Sequence, residues 1–273
     1  MRIGIFAKTF AARGALASLQ AARAAGYETA QFNMACLGLP AMPEAIAPET
    51  CADIVAASRA AGVSIAAVSG TYNMIHPDPA QRAEGLRRLG VMTGAARAMG
   101  TGLVTLCTGT RDAQDQWRHH PDNSSPEAWR GLLDGMAKAV EMAEAHGVDL
   151  GIEPELANVV DSASAARRLL DELRSPRLRI VLDPANLFEV ARPDEQRGII
   201  ARAVDLLADS IVMAHAKDRD AQGGFAAAGR GVIDFPHFLS CLKAAQFDGP
   251  LITHGLREDE APAVAAFLKQ AMP

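Results

Sequence analysis

The chain has 273 residues, 49% hydrophobic and 22% charged, an ordinary globular composition with length enough for one sizeable core. Its net charge of −5 and pI of about 5.8 argue against general nucleic-acid affinity, which needs a basic face. No apolar run reaches the roughly 18 to 20 residues that span a bilayer. The opening Met1-Arg2-Ile3-Gly4-Ile5-Phe6 reads as a strand, not as a signal peptide. The four cysteines, Cys36, Cys51, Cys107 and Cys241, form no C-x-x-C pair and match no zinc ribbon. A reducing cytoplasm is the expected compartment, with neither membrane nor nucleic acid as partner.

Apolar strand-like runs alternate with Ala- and Leu-rich helical stretches along the whole chain. The first predicted strand is Arg2–Phe6, followed by a helix over 16–25. Thr29–Phe32 precedes a helix over 49–61, and Ser64–Val68 one over 79–99. Leu103–Cys107 precedes 126–146, and Val148–Ile152 precedes 162–174. Arg179–Leu182 leads to 194–208, Ile211–Ala214 to 235–246, and Pro250–Thr253 to 258–271. Strict alternation of strand and helix implies a parallel sheet, and eight such units imply closure into a (β/α)8 barrel spanning 1–273 as one domain. The punctuation agrees. Gly26, Gly62, Gly100 and Gly147 stand where helices should stop. Pro48, Pro79, Pro126 and Pro193 stand where they should start. Asp161-Ser162 and Asp234 are candidate N-caps. An open doubly wound sheet is the competing architecture, but no G-x-G-x-x-G follows the first strand, so a dinucleotide site has no support.

In such a barrel the C-terminal strand ends converge on one face, which holds the active site. Three successive strands here run into metal-ligand side chains: Glu153 in Gly151-Ile152-Glu153-Pro154-Glu155, Asp183 in Leu182-Asp183-Pro184-Ala185-Asn186, and His215 in Ala214-His215-Ala216-Lys217-Asp218. A Glu, an Asp and a His brought together form a divalent-metal site. Each also has a plainer reading: a solvated strand-end Glu, an Asx turn before Pro184, and a polar strand terminus. His254 ends the last strand and is the fourth candidate ligand, although a strand-end His also simply bonds backbone. Alternation puts Lys217 on the same side as His215, where its ammonium could hold an anionic or enolate oxygen. Glu155 lies two residues beyond Glu153 and is a candidate substrate contact. The loops 69–77, 108–125 and 217–234 are long and lie on the same rim. They bring Asn73 and His76 as candidate substrate contacts, and Trp117 as an apolar wall for a sugar ring or as plain loop packing.

These stretches, with Ser69 to Pro77, Thr105 to Arg111 and Gly229-Arg230-Gly231-Val232-Ile233-Asp234-Phe235, resemble the sugar phosphate isomerase/epimerase group of xylose isomerase-like barrels. That group also holds hydroxypyruvate isomerase, inosose dehydratase, ketose 3-epimerases and the endonuclease IV nucleases. The resemblance covers the whole chain. It implies a divalent ion, manganese, magnesium, cobalt or zinc, held by a Glu, an Asp, a His and a second Glu on the last four barrel strands. The first three fall on Glu153, Asp183 and His215. It further implies two carboxylates that move a proton on opposite faces of the substrate. A His three residues after the Asp and an Arg after the His would bind substrate oxygens, which places Asn186 and Arg219 at those positions. Two departures stand out: His254 replaces the last Glu, and Asn186 replaces the His. The donor set has one negative charge fewer, which shifts expectation from magnesium toward manganese, cobalt or zinc.

The expectation is a metal-dependent isomerase or epimerase of a small hydroxy-carbonyl compound, a sugar or sugar phosphate, with Glu153 as base and His254 or Lys217 as partner acid. A metal-dependent lyase or hydrolase on the same barrel is the alternative, as is a barrel that binds ligand without catalysis. A small carbohydrate-like molecule is the expected partner, and the oligomeric state, a homo-oligomer included, stays open.

Overall fold

The computed structural model describes residues 1–272. Eight parallel strands pair in sequence order: β1 (Arg2–Phe6), β2 (Thr29–Phe32), β3 (Ser64–Ser69), β4 (Leu103–Cys107), β5 (Asp149–Glu153), β6 (Leu178–Leu182), β7 (Ile211–Arg219) and β9 (Pro250–Thr253). Pairing of β9 with β1 closes the barrel. A further short strand, β8 (Phe225–Ala227), folds back antiparallel on the end of β7. The outer ring is α1 (Ala15–Ala24), α2 (Pro48–Ala61), α3 (Pro79–Ala96), α4 (Pro126–His146), α5 (Ala163–Leu173), α6 (Pro193–Leu207), α7 (Phe235–Ala244) and α8 (Ala261–Ala271). The expected (β/α)8 architecture is the one observed.

The punctuation does its expected physical work. Pro48, Pro79, Pro126 and Pro193 occupy the first turns of α2, α3, α4 and α6, where the missing N–H has no intrahelical partner to lose. Gly62 and Gly147 close α2 and α4 in the left-handed region at φ 64°. Ser162 and Asp234 cap α5 and α7, accepting the backbone N–H of Ala165 at 3.2 Å and His237 at 3.0 Å.

Most boundaries fall within one or two residues of the sequence expectation, and three departures are larger or change the element. Helix α3 ends at Ala96 and not at 99, and α8 is preceded by a 3-10 turn over Glu258–Glu260. The largest difference is in β7, which continues past Ala214 to Arg219. Its polar end reads as loop, but pairing of Lys217, Asp218 and Arg219 with Ala227, Ala226 and Phe225 extends it.

Two separate apolar layers hold the barrel. The larger lies between strands and helices and takes the outward strand residues, among them Ile5, Phe32, Leu106, Ile152 and Leu182. The smaller lies inside the barrel and consists of Ala67, Leu103, Val181, Met213 and Ile252. Gly4 and Gly151 make room for it: a Cβ on Gly4 would stand 2.4 Å from Ile252 Cδ1, and one on Gly151 2.8 Å from Val181 Cγ2. Two residues further along each strand, the period-2 alternation brings the next inward ring: Phe6, Gln31, Ser69, Thr105, Glu153, Asp183, His215 and His254. An apolar plug thus floors a mostly polar ring at the C-terminal ends of the strands.

Gly4→Ala tests this packing. The new methyl would also meet the Thr29 carbonyl oxygen at 2.6 Å, and that backbone atom is pinned in the sheet. The expected loss is about 1–3 kcal/mol, the usual cost of overpacking. Gly131→Ala in α4, with nothing within 4 Å of its Cβ, should instead stabilise by about 0.4–1 kcal/mol. Thermal or denaturant unfolding reads both; equal stabilities would refute the tight fit at Gly4.

Candidate metal centre

Glu153, the last residue of β5, is buried, and Oε1 receives both of its side-chain contacts, Asn186 Nδ2 at 2.9 Å and His215 Nδ1 at 3.0 Å. Asp183 follows β6. Its Oδ1 accepts the Ala185 N–H at 2.9 Å, which is the expected Asx turn. Its Oδ2 faces His254 Nε2 at 3.2 Å and Lys217 Nζ at 3.8 Å. The Asx turn thus occupies one oxygen of Asp183 and leaves the other turned toward His254 and Lys217. His215 and His254 stack edge to face with ring centroids 4.6 Å apart.

Ligand atoms of Glu153, Asp183, His215 and His254 all lie within 4.8 Å of one another. Two ligand atoms about 2.1 Å from one ion and at right angles stand about 3.0 Å apart. The 3.0 Å and 3.2 Å separations within this group match that spacing. The donor set of two carboxylates and two imidazoles suits a borderline divalent ion. These four residues fit a metal.

The electrostatics are those of a buried group that compensates itself. Burial opposes ionisation of Asp183, yet Lys217 and the His254 hydrogen bond hold its carboxyl at about 2. Burial likewise opposes ionisation of Glu153, but His215 outweighs it and the carboxyl falls below its ordinary value. For His254, burial and then His215 lower the imidazole, which favours the neutral form a metal requires. Glu155 is the exception. Burial, and then the Glu153 carboxylate, push it up to about 8. Beside it, Cys107 Sγ lies 3.8 Å from Glu155 Oε1, and burial with the two carboxylates raises that thiol well above its usual value.

A cavity of about 730 Å³ opens over the ring. Glu153, Glu155, Asn186, Lys217, Arg219 and His254 all line it, together with Trp117 and Phe225. Lys217 Nζ lies 3.7 Å and Arg219 Cζ 4.4 Å from the centroid of the Phe225 ring. Arg219 spends its Nε on the Ala185 carbonyl at 2.5 Å and another donor on the Gly223 carbonyl. Asn186 is 1% exposed, and with Nδ2 committed to Glu153 its Oδ1 has no partner. Asp218 anchors the rim behind them: Oδ1 accepts the N–H of Arg219 and Ile233, and Oδ2 those of Gly229 and Gly231.

Asn73 and His76 are not brought to this cavity. They line a separate, smaller pocket with Asp112 and Gln114. Asn73 Oδ1 accepts the Thr110 N–H at 3.0 Å; His76 faces the Ala113 carbonyl through Nε2 and accepts the Asp78 N–H at Nδ1. Their side chains brace the loop after β4, since both hydrogen-bonding ends of each are engaged by backbone. Sequence reasoning also passed over Gln31, at 2% exposure inside the ring, where Oε1 faces His215 Nε2 at 3.0 Å. A glutamine inside a short buried strand was the available signal.

The raised Glu155 carboxyl makes a stability statement about the metal-free protein. Folding favours its protonated form, so its stabilisation is complete below the ordinary value of 4.5 and is lost as pH rises through about 8. Thermal melts of metal-free protein should therefore fall over that range, and less steeply for Glu155→Gln. Equal slopes in the two proteins would assign the titration elsewhere.

Known proteins place this geometry. Residues 19–271 match the family described as xylose isomerase-like TIM barrel. No curated protein matches in sequence. Among solved structures, a 3-keto-D-glucoside 4-epimerase from E. coli superposes with TM-score 0.77 at 16% identity, covering 99% of both chains. D-allulose 3-epimerase from Methylomonas sp. gives 0.74 at 18%, covering 100% of this chain and 98% of its own. L-ribulose 3-epimerase gives 0.75 at 20%, with 99% and 95% covered. At such identities these likenesses speak for the fold, and with the matched family they lead to one conclusion: the chain belongs to the xylose isomerase-like TIM barrel family.

Proposed function

We propose that the protein is a divalent-metal-dependent isomerase or epimerase of a small sugar, sugar phosphate or related hydroxy-carbonyl compound. The observation that carries this reading is the four-residue cluster of Glu153, Asp183, His215 and His254, two of which, Glu153 and His254, line a cavity together with Lys217 and Glu155. The structural neighbours named as epimerases of keto-glucoside, allulose and ribulose support it.

A divalent ion in this place would supply Lewis-acid stabilisation of negative charge on the substrate oxygens. Manganese, cobalt or zinc suit the two imidazoles better than magnesium. The chain's own residues would do the rest. The side-chain contacts of Glu153, to Asn186 Nδ2 and His215 Nδ1, both end on Oε1. Oε2 is thus the oxygen that takes the proton from the carbon between hydroxyl and carbonyl, leaving an enediolate. The Lys217 ammonium, 6% exposed at the cavity wall, faces that developing charge. Return of a proton to the opposite face of the same carbon gives an epimer, and return to the neighbouring carbon an isomer. Lys217 is the partner acid in this scheme. His254, with Nε2 turned to Asp183, serves first as a ligand.

Two outcomes are expected. Turnover in deuterated water should place deuterium at the reacting carbon, and Glu153→Gln should cost about 10²- to 10⁴-fold in rate, the usual scale of a lost general base. Turnover without deuterium from solvent would exclude this proton transfer and favour a lyase or hydrolase. In metal titrations, Asp183→Ala should weaken binding more than His254→Ala, because an anion contributes more charge stabilisation than an imidazole. A purified protein that neither contains nor takes up manganese, cobalt or zinc would overturn the metal reading.

A further inference from the structure

His215 is gripped at both ends. Nδ1 faces Glu153 Oε1 at 3.0 Å, and Nε2 faces Gln31 Oε1 at 3.0 Å. Gln31 is itself gripped, its Nε2 reaching Thr105 Oγ1 at 2.9 Å and Ser69 Oγ at 3.2 Å. The four residues come from four different strands and are 1% to 5% exposed. This is a closed polar relay across the barrel, from β3 and β4 through β2 to β7.

The relay decides which ring nitrogen can serve as a ligand. Each nitrogen of His215 faces an acceptor, so each place calls for a proton or a cation. Nδ1 is the nitrogen that faces a member of the candidate ligand cluster, Glu153 Oε1 at 3.0 Å, whereas Nε2 faces Gln31, which is not in it. On the Nε2 side stands one neutral carbonyl at hydrogen-bond distance, which takes an N–H and brings no negative charge to an ion. As placed, Gln31 gives its Nε2 to the two hydroxyls and turns its carbonyl to His215 Nε2, an arrangement completed by an N–H on that nitrogen.

We propose that Gln31 is a positioning residue for the metal: its carbonyl holds His215 as the Nε2–H tautomer and so presents Nδ1 to the ion. The inference rests on the metal reading above. A histidine ligand held through its other ring nitrogen binds more tightly, and loss of such a partner costs about 10- to 100-fold in metal affinity. The hydroxyls of Ser69 and Thr105 can each donate as well as accept. A carboxylate at position 31 would therefore keep both ends of the relay, whereas an aliphatic side chain would keep neither.

The test uses zinc alone as the probe. Zinc competed against a chromophoric chelator should bind about 10- to 100-fold more weakly to Gln31→Leu than to wild type, and Gln31→Glu should recover most of the affinity. In nitrogen–proton spectra of the zinc-loaded protein, a slowly exchanging His215 Nε2–H should be present in wild type and Gln31→Glu and absent in Gln31→Leu. A merely structural role for Gln31 would not move that signal. If Gln31→Leu does not fold, Gln31→Glu decides: loss of affinity or of the Nε2–H there overturns the proposal. Equal zinc affinity in wild type and Gln31→Leu overturns the role of Gln31 alone. A wild-type protein that takes up no zinc overturns the metal reading and this inference together.

Discussion

The inward register of the eight barrel strands is the constraint on which the rest depends. A strand side chain alternates between faces, so a slip of one residue would exchange the inward set for the outward one. Here the inward set has two levels. At the lower level Ala67, Leu103, Val181, Met213 and Ile252 fill the interior, and Gly4 and Gly151 yield space to them. At the upper level stand Gln31, Glu153, Asp183, His215 and His254, all but His254 close to fully buried. The plug below is what keeps the ring above dry. Without it, water entering from the floor would screen the charges whose mutual compensation makes the ring tolerable.

That compensation is not complete, and the incompleteness is informative. A buried ion pair is costly to desolvate and returns the cost only when every member is matched. Asp183 is matched by Lys217 and His254, and Glu153 by His215 and Asn186. Burial, and then the Glu153 carboxylate, push Glu155 up to about 8, and Lys217 offsets only part of this. A divalent cation within the ring would change this balance more than any single side chain could.

Much of this was legible in the sequence because the relevant signals are local. The alternation of apolar runs and helical stretches fixes the barrel, and Glu153, Asp183 and His215 at successive strand ends fix one arc of the ring. What was not legible depends on pairing between distant segments. The polar Lys217-Asp218-Arg219 reads as loop; it is strand only because Phe225–Ala227 returns to pair with it. Asp218 in turn collects four backbone N–H groups from the chain up to Ile233, and a Cβ at Gly231 would lie 2.0 Å from the Arg219 carbonyl oxygen. The Gly229-Arg230-Gly231 stretch is therefore a requirement of this turn, which no local propensity announces. Asn73 and His76 show the converse. Both look like pocket residues on a rim loop, but the backbone of the neighbouring loop satisfies them.

The replacement of a carboxylate by His254 also acquires a physical reason in this setting. Glu153, Asp183 and Glu155 already put three carboxyl groups close enough to act on one another, with Lys217 the buried ammonium among them. A fourth carboxyl at position 254 would face Asp183 Oδ2, the oxygen that His254 Nε2 now approaches to 3.2 Å. Repulsion there would add to the burial and like charge that already push Glu155 toward its neutral form. An imidazole at that place keeps a metal-ligating atom and removes the charge. Its ring also packs edge to face on His215 and lies 5.8 Å from the Phe6 ring, contacts that suit an apolar body with a polar tip. With Glu155 two residues beyond Glu153, a histidine at this place accommodates the extra acid without adding an uncompensated fourth anion.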